Sequence, residues 1–301
     1  LVPLAYARRM QPGDPRDPLL RQVLPLGQEL EARPGYVSDP VGDLAAVRAP
    51  GVLSKYAGRT LLIATGACAI HCRYCFRREF PYEHQRAADA GWGHAVDEIR
   101  NDPGCREVIL SGGDPLVLRE RRLSALTRAL AGIPQLRRLR LHTRLPVVLP
   151  SRVDDALLAW LREVPLQVVV VLHANHPGEI DDGVREALAR LRHSGVILLN
   201  QAVLLRGVND DPDILCELSE ALFEAGALPY YLHLLDRVRG TAHFDVPEDR
   251  ATALVAAAAA RLPGYLVPRL VRERAGAPCK TPVTGTTADV TQVAEGLAAP
   301  L

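Results

Sequence analysis

The chain has 301 residues, 48% of them hydrophobic, with 36 Lys plus Arg against 35 Asp plus Glu for a formal net charge of +1. That composition supplies the core of one large α/β domain or two small ones, and the balanced charge gives no electrostatic ground for nucleic acid or an anionic membrane surface as the main partner. No apolar run is long enough to span a bilayer, since the nearest candidate, the alanine-rich stretch 251–260, is short and flanked by Arg250 and Arg261.

Residues 1–58 are rich in Pro and Gly with brief apolar stretches such as Leu19 to Leu26, which predicts an arm packed on a larger body. The first residue is Leu with no basic-apolar leader behind it, so the expectation is that further residues precede it in the natural protein. From Thr60 a unit repeats: a short β-branched or leucine run, a turn, then an amphipathic helix. Strands are predicted at Leu61–Thr65, Glu107–Ser111, Arg138–His142, Leu166–Leu172, Val196–Leu204 and Leu228–Leu234, with crossover-length helices between them. Asp211-Pro212 offers an N-cap and a first-turn proline, Leu215, Leu218 and Leu222 share one face, and Gly226 is the stop. Val184, Leu188 and Leu191 recur in the same way before Gly195. The uninterrupted run Val168 to Val171 suits a parallel strand covered on both faces.

Six βα units predict a partial (βα)6 barrel over residues 59–246, with a doubly wound open sheet as the alternative. Either architecture binds ligands at the C-terminal ends of its strands. Residues 247–301 form a C-terminal segment: a helix from about Pro247 to Leu262, an extra strand within Gly264 to Glu273, and a Gly/Pro-rich loop carrying Lys280. The tail beyond Thr284, small and alanine-rich, is expected to be disordered or loosely helical.

Chemistry concentrates in Gly66-Ala-Cys-Ala-Ile-His-Cys-Arg-Tyr-Cys-Phe-Arg-Arg78, where Cys68, Cys72 and Cys75 stand in C-x3-C-x2-C spacing just after a predicted strand. Three thiolates in one short loop want a metal. A structural zinc takes four protein ligands, and His71 beside Cys72 cannot easily complete a tetrahedron. An iron–sulfur cube on three cysteines keeps one iron open for another ligand. On spacing alone a zinc knuckle or an incidental thiol cluster stays open. Cys105, Cys216 and Cys279 lie singly, so there is no secreted disulfide framework and a reducing cytoplasm is expected. Ser111-Gly-Gly-Asp-Pro115 follows at the next strand end, by itself an ordinary tight turn. Of 36 basic residues only Lys55 and Lys280 are lysines, and a lysine amine forms a Schiff base where an arginine cannot. Two surface lysines surviving by chance is the plain alternative.

The cysteine loop, with Tyr74 before its third cysteine, and Ser111-Gly-Gly-Asp-Pro115 together resemble radical S-adenosylmethionine (SAM) enzymes, whose open iron chelates the methionyl end of SAM. With Asn200-Gln-Ala-Val-Leu-Leu-Arg-Gly-Val-Asn-Asp210, Pro229-Tyr-Tyr-Leu-His-Leu-Leu-Asp236 and Lys280-Thr-Pro282 added, the chain resembles the lysine 2,3-aminomutase family over about residues 55–283. Within it, the likeness is greatest to the bacterial enzymes that make (R)-β-lysine for modification of elongation factor P.

The resemblance implies a [4Fe-4S] cluster on Cys68, Cys72 and Cys75. It implies SAM beside Gly112, Gly113 and Asp114, with His173, Asn175 and Arg144 as further candidates and His176 as a turn residue. It implies pyridoxal 5'-phosphate (PLP) in Schiff-base linkage to Lys280, contacted by Lys55, Arg59 and Gln201. Arg77 corresponds to the arginine that binds the α-carboxylate of L-lysine, and Asp236 with Glu273 to the acidic pair around its ε-ammonium, because buried charges require partners. Glu273 stands where clostridial members have Asp.

The activity implied is an isomerase that moves the α-amino group to the β-carbon, with PLP stabilising a radical rather than a carbanion. Electrons would come from a reductant such as flavodoxin or ferredoxin. The zinc-binding C-terminal extension on which the clostridial tetramer is built has no cysteine counterpart here. A radical SAM enzyme without PLP, another amino-acid 2,3-aminomutase and a zinc-binding interaction module are the competing expectations.

Overall fold

The computed structural model describes residues 1–85 and 92–284. The tail beyond Thr284 lies outside the described residues. Ten strands form one sheet in strictly sequential order: β1 Val47–Ala49, β2 Val52–Tyr56, β3 Arg59–Thr65, β4 Glu107–Gly112, β5 Arg138–Thr143, β6 Gln167–Leu172, β7 Ile197–Val203, β8 Leu228–His233, β9 Arg269–Arg272 and β10 Thr281–Pro282. Strands β3 to β9 run parallel. β1, β2 and β10 add antiparallel at the two ends.

The six predicted strands are β3 to β8, each matching within two residues at either end. A doubly wound sheet reverses its strand order at a switch point, and this sheet never reverses. The partial barrel is therefore the architecture.

Period-two alternation divides each strand between two environments. On β5, Leu139 and Leu141 are fully buried in the main core with Leu123 and Leu126. The alternate residues Arg138, Arg140 and His142 face the barrel interior, where Arg138 Nε lies 3.2 Å from Glu107 and Arg140 also pairs with that carboxylate. The interior is thus polar, and the apolar core lies between sheet and helices.

Those helices are α1 Leu4–Ala7 and α2 Pro18–Arg21 in the arm, then α3 Gly93–Arg100, α4 Glu120–Ala131, α5 Leu145–Val148, α6 Asp155–Glu163, α7 Asp182–His193, α8 Pro212–Glu224 and α9 Glu248–Ala259. α8 starts as its sequence dictates: the Asp211 carboxylate accepts from Asp213 N at 2.8 Å, Pro212 is the first residue, and Leu215, Leu218 and Leu222 are buried. Asp181 caps α7 through Val184 N at 2.9 Å, and Val184, Leu188 and Leu191 are buried. Among the described residues no helix is long and apolar enough to cross a membrane.

The N-terminal segment, expected as an arm packed on the core, also contributes to the sheet. Its last part forms β1 and β2 of the sheet, too short to show an alternating pattern. Its first part covers the cysteine loop: Tyr6, Leu19 and Val23 pack with Ile70 and Val148.

Leu141 is fully buried between sheet and helices, so Leu141→Ala removes apolar area and leaves a cavity. A loss of roughly 2–5 kcal/mol is expected, visible as a lower denaturant midpoint at unchanged slope.

Candidate active site

The cysteine loop leaves the end of β3 and is zippered by its backbone to the end of β4. Gly113 N donates to Thr65 O at 2.7 Å and Asp114 N to Ala67 O at 2.8 Å. Side chains have no room there. A Cβ on Gly113 would stand 2.2 Å from Ala67 O, and one on Gly112, whose φ is +108°, would stand 2.6 Å from Thr65 O. The glycine pair therefore seats the cysteine loop itself.

Asp114, expected beside SAM, is buried at the end of β4. Its carboxylate accepts from Leu116 N (3.0 Å), Arg144 N (2.8 Å), Leu145 N (3.0 Å) and Thr143 Oγ1 (2.7 Å), joining the ends of β4 and β5. The reason is burial: a carboxylate at 7% exposure must satisfy its oxygens internally.

Cys68, Cys72 and Cys75 are all free thiols. Desolvation lifts Cys68 to about 12, with Asp114, Cys72 and Cys75 adding repulsion, and lifts Cys75 to about 11 with Cys72 as the next cause. The three are near enough to repel one another. Three thiolates suit a cube, which takes one sulfur on each of three irons and leaves the fourth iron open, whereas a structural zinc takes four protein ligands. The donor set fits an iron–sulfur cube.

The second cluster lies at the mouth, where the two ends of the sheet meet. Lys55 on β2 is ringed by Asp43 (2.6 Å), Glu273 (2.8 Å) and Val41 O (2.9 Å). Lys280 donates to the other oxygen of Glu273 at 2.7 Å, and its Nζ lies 5.8 Å from the Tyr231 ring centroid. The only two lysines of the chain thus share one carboxylate. Burial opposes ionisation of Glu273, but the lysines win and hold it well below the usual carboxylate range. Asp236 behaves oppositely: burial first and then the Glu273 charge push it up to about 7, against Lys280 and Lys55.

Arg77 is buried, with Nε on Asp43 at 2.6 Å and Nη1 on Ser111 Oγ at 3.2 Å. Its Nη2 has no partner among the described residues.

Lys55 was expected to meet a phosphate. In the structure its ammonium lies among two carboxylates and a carbonyl of the protein. Arg59 remains suited to an anion: its guanidinium lies 4.8 Å from the Tyr56 ring centroid and its buried Nε has no partner. Gln201 on β7 is in register with Tyr231. His142, half-buried, and His233, buried, which sequence reasoning passed over, have Nε2 atoms without a partner among the described residues. Burial and then neighbouring cations, Arg140 and Lys280 for His142 and Lys280 for His233, hold both well below the usual histidine range and so neutral.

His173 and Asn175 were expected to contact SAM. Asn175 is fully buried and its amide donates to Gln22 Oε1 (3.0 Å) and Tyr74 OH (2.7 Å), while its oxygen accepts from Val203 N (2.8 Å). Both N–H donors are thus engaged within the protein. His173 stacks on Tyr74 and bonds its hydroxyl at 2.9 Å. His176 caps Gly178 N at 3.1 Å, the expected turn role.

Barrel and cysteine loop together define a radical SAM protein: the Radical SAM superfamily profile matches residues 62–218. The fold is also that of Streptococcus suis SuiB bound to S-adenosylmethionine, with a TM-score of 0.53 at 13% identity over 77% of this chain and 53% of that one. The superfamily uses a [4Fe-4S] cluster and SAM.

L-lysine 2,3-aminomutase of Escherichia coli (strain K12) is 46% identical over 282 residues, covering 94% of this chain and 82% of that protein. The Haemophilus influenzae enzyme is 46% identical over 93% of this chain and 83% of its own length, and the Clostridium subterminale enzyme 35% identical over 92% and 67%. The chain belongs to the L-lysine 2,3-aminomutase family and is a radical SAM isomerase.

Gly113→Ala forces a methyl into backbone of the cysteine loop. After anaerobic reconstitution its iron and sulfide content is expected to fall to less than half of wild type with the circular dichroism spectrum retained. Cys216→Ala, at a buried position of α8 outside the cysteine loop, is expected to keep both.

Proposed function

We propose that the chain converts L-lysine to (R)-β-lysine, with PLP on Lys280, a [4Fe-4S] cluster on Cys68, Cys72 and Cys75, and SAM at the open iron. The observation that carries the proposal is the convergence of Lys55 and Lys280 on Glu273 with Asp236 alongside. A dicarboxylate mouth that already binds two ammonium groups suits the ε-ammonium of lysine. Arg77, aimed by Asp43 and Ser111, suits the α-carboxylate through its remaining Nη2.

When bound, PLP supplies a conjugated system that spreads an unpaired electron, and cluster and SAM supply the radical chemistry. The protein's part is acid–base and steric. Lys280 must shed a proton to become a nucleophile, and Glu273, which accepts from its Nζ at 2.7 Å, holds the ammonium in place until it does. Arg59 offers an Nε without a partner among the described residues to the phosphate, and Tyr231 a ring face beside the lysine. The encircling sheet keeps water from reactive intermediates. The overall likeness to the bacterial enzymes that make (R)-β-lysine for elongation factor P supports modification of that factor as the use of the product, with flavodoxin or ferredoxin as electron source.

Borohydride reduction of PLP-loaded protein followed by peptide mass spectrometry is expected to mark Lys280; labelling confined to other sites contradicts the PLP assignment.

Substrate ammonium beside Asp236 favours its carboxylate, so lysine binding near pH 6.5 is expected to release a proton. Calorimetry in buffers of different ionisation enthalpy measures that release, and Asp236→Asn should lose it. The same substitution leaves a desolvated cation short of a partner, about 3–5 kcal/mol, or a hundredfold or more in kcat/KM.

A further inference from the structure

A second buried charge cluster shares no side chain with the mouth. Arg144, the residue after β5, is 6% exposed, and its guanidinium reaches the arm, the cysteine loop and the segment after β6 together. Nη1 donates to Cys72 Sγ at 2.9 Å. Nη2 donates to Gln22 Oε1 at 2.7 Å, Glu179 Oε2 at 2.8 Å and Tyr6 OH at 3.1 Å. The Tyr6 and Tyr74 rings flank it at 5.3 and 5.8 Å. Glu179, with no exposed surface, is held in turn by Gln22 Nε2 (3.1 Å), Asn175 N (2.9 Å) and His176 N (3.2 Å).

A buried guanidinium needs one carboxylate to be tolerated, and Glu179 supplies it. Packing did not require an N–H on sulfur. That bond does what hydrogen bonds to cluster sulfurs do generally: it favours the state with more negative charge on the ligand, which is the reduced cluster. Glu179, a fixed negative charge on the same guanidinium, acts in the opposite sense.

We propose that Arg144 sets the reduction potential of the cluster through Cys72, that Glu179 opposes it, and that Tyr6 and Gln22 of the N-terminal arm hold the guanidinium in position. Arg144 is a positioning residue: it touches a cluster ligand, and neither SAM nor substrate is required for its effect. The inference rests on Cys72 being a cluster ligand.

The test is an EPR-monitored potentiometric titration of anaerobically reconstituted full-length protein without SAM or substrate, after iron and sulfide have been counted. Arg144→Gln removes the charge and is expected to lower the reduced-to-oxidised ratio at fixed potential about tenfold, equivalent to about 59 mV for a one-electron couple. Glu179→Gln leaves the donor on Cys72 and is expected to move the potential upward, and Arg144→Lys to stay nearer wild type than Arg144→Gln. A purely structural role would not give shifts of opposite sign. Unchanged potentials, or shifts of one sign, in variants that hold a full cube overturn the proposal. Should Arg144→Gln fail to retain iron, Glu179→Gln decides: a rise supports the proposal and anything else overturns it. A wild-type protein with no cube, by contrast, overturns the cluster assignment itself.

Discussion

One carboxylate, Glu273, holds the ammonium groups of Lys55 and Lys280, and through them the two ends of an open sheet. Lys55 belongs to β2 near one edge, and Glu273 follows β9 near the other. No strand pairing joins β1 to β10 among the described residues, so side-chain charge closes the barrel where backbone hydrogen bonds do not. Breaking a buried pair by removing one partner costs about 3–5 kcal/mol, set against total stabilities of about 5–15 kcal/mol. The seam is therefore structurally significant, and it is also where Lys280, Asp236 and Arg77 meet. Asp43 extends it by holding Lys55 and Arg77 at once.

The cysteine loop depends on a different kind of contact. There the backbone of β4's end lies directly on the backbone of the loop, and only glycine permits the approach. Asp114 then fastens the same corner to β5, and Arg144 carries the connection to Cys72 and the arm. The loop that carries the three cysteines is thus held from its backbone, from one of its sulfurs and from the apolar packing of Ile70 against Tyr6 and Leu19.

The parts legible in the sequence were those with local signatures. Strands β3 to β8 announced themselves by apolar runs at crossover spacing, α7 and α8 by Asp caps and leucine faces, and the cysteines by spacing. Scarcity was informative too: two lysines in an arginine-rich chain proved to share one carboxylate. What escaped were contacts between distant residues. Asp43 meets Arg77, and Gln22 meets Glu179 157 positions later; neither acid has a local pattern. The same blindness covers the partners of Lys55, which meets Asp43 and Glu273, of Asp114, which caps backbone amides of Arg144 and Leu145, and of Asn175, which meets Gln22 and Tyr74.

The mouth as an ammonium site working with PLP on Lys280 is the central claim. It is tested most directly by incubating anaerobically reconstituted, PLP-stripped protein with SAM, a low-potential reductant and lysine, with and without added PLP, and resolving amino-acid isomers by chiral chromatography and mass spectrometry. The account predicts (R)-β-lysine only when PLP is restored, and little or no β-isomer from glutamate, which lacks the distal cation. Turnover of glutamate equal to that of lysine, or β-lysine formed equally well without PLP, would contradict it.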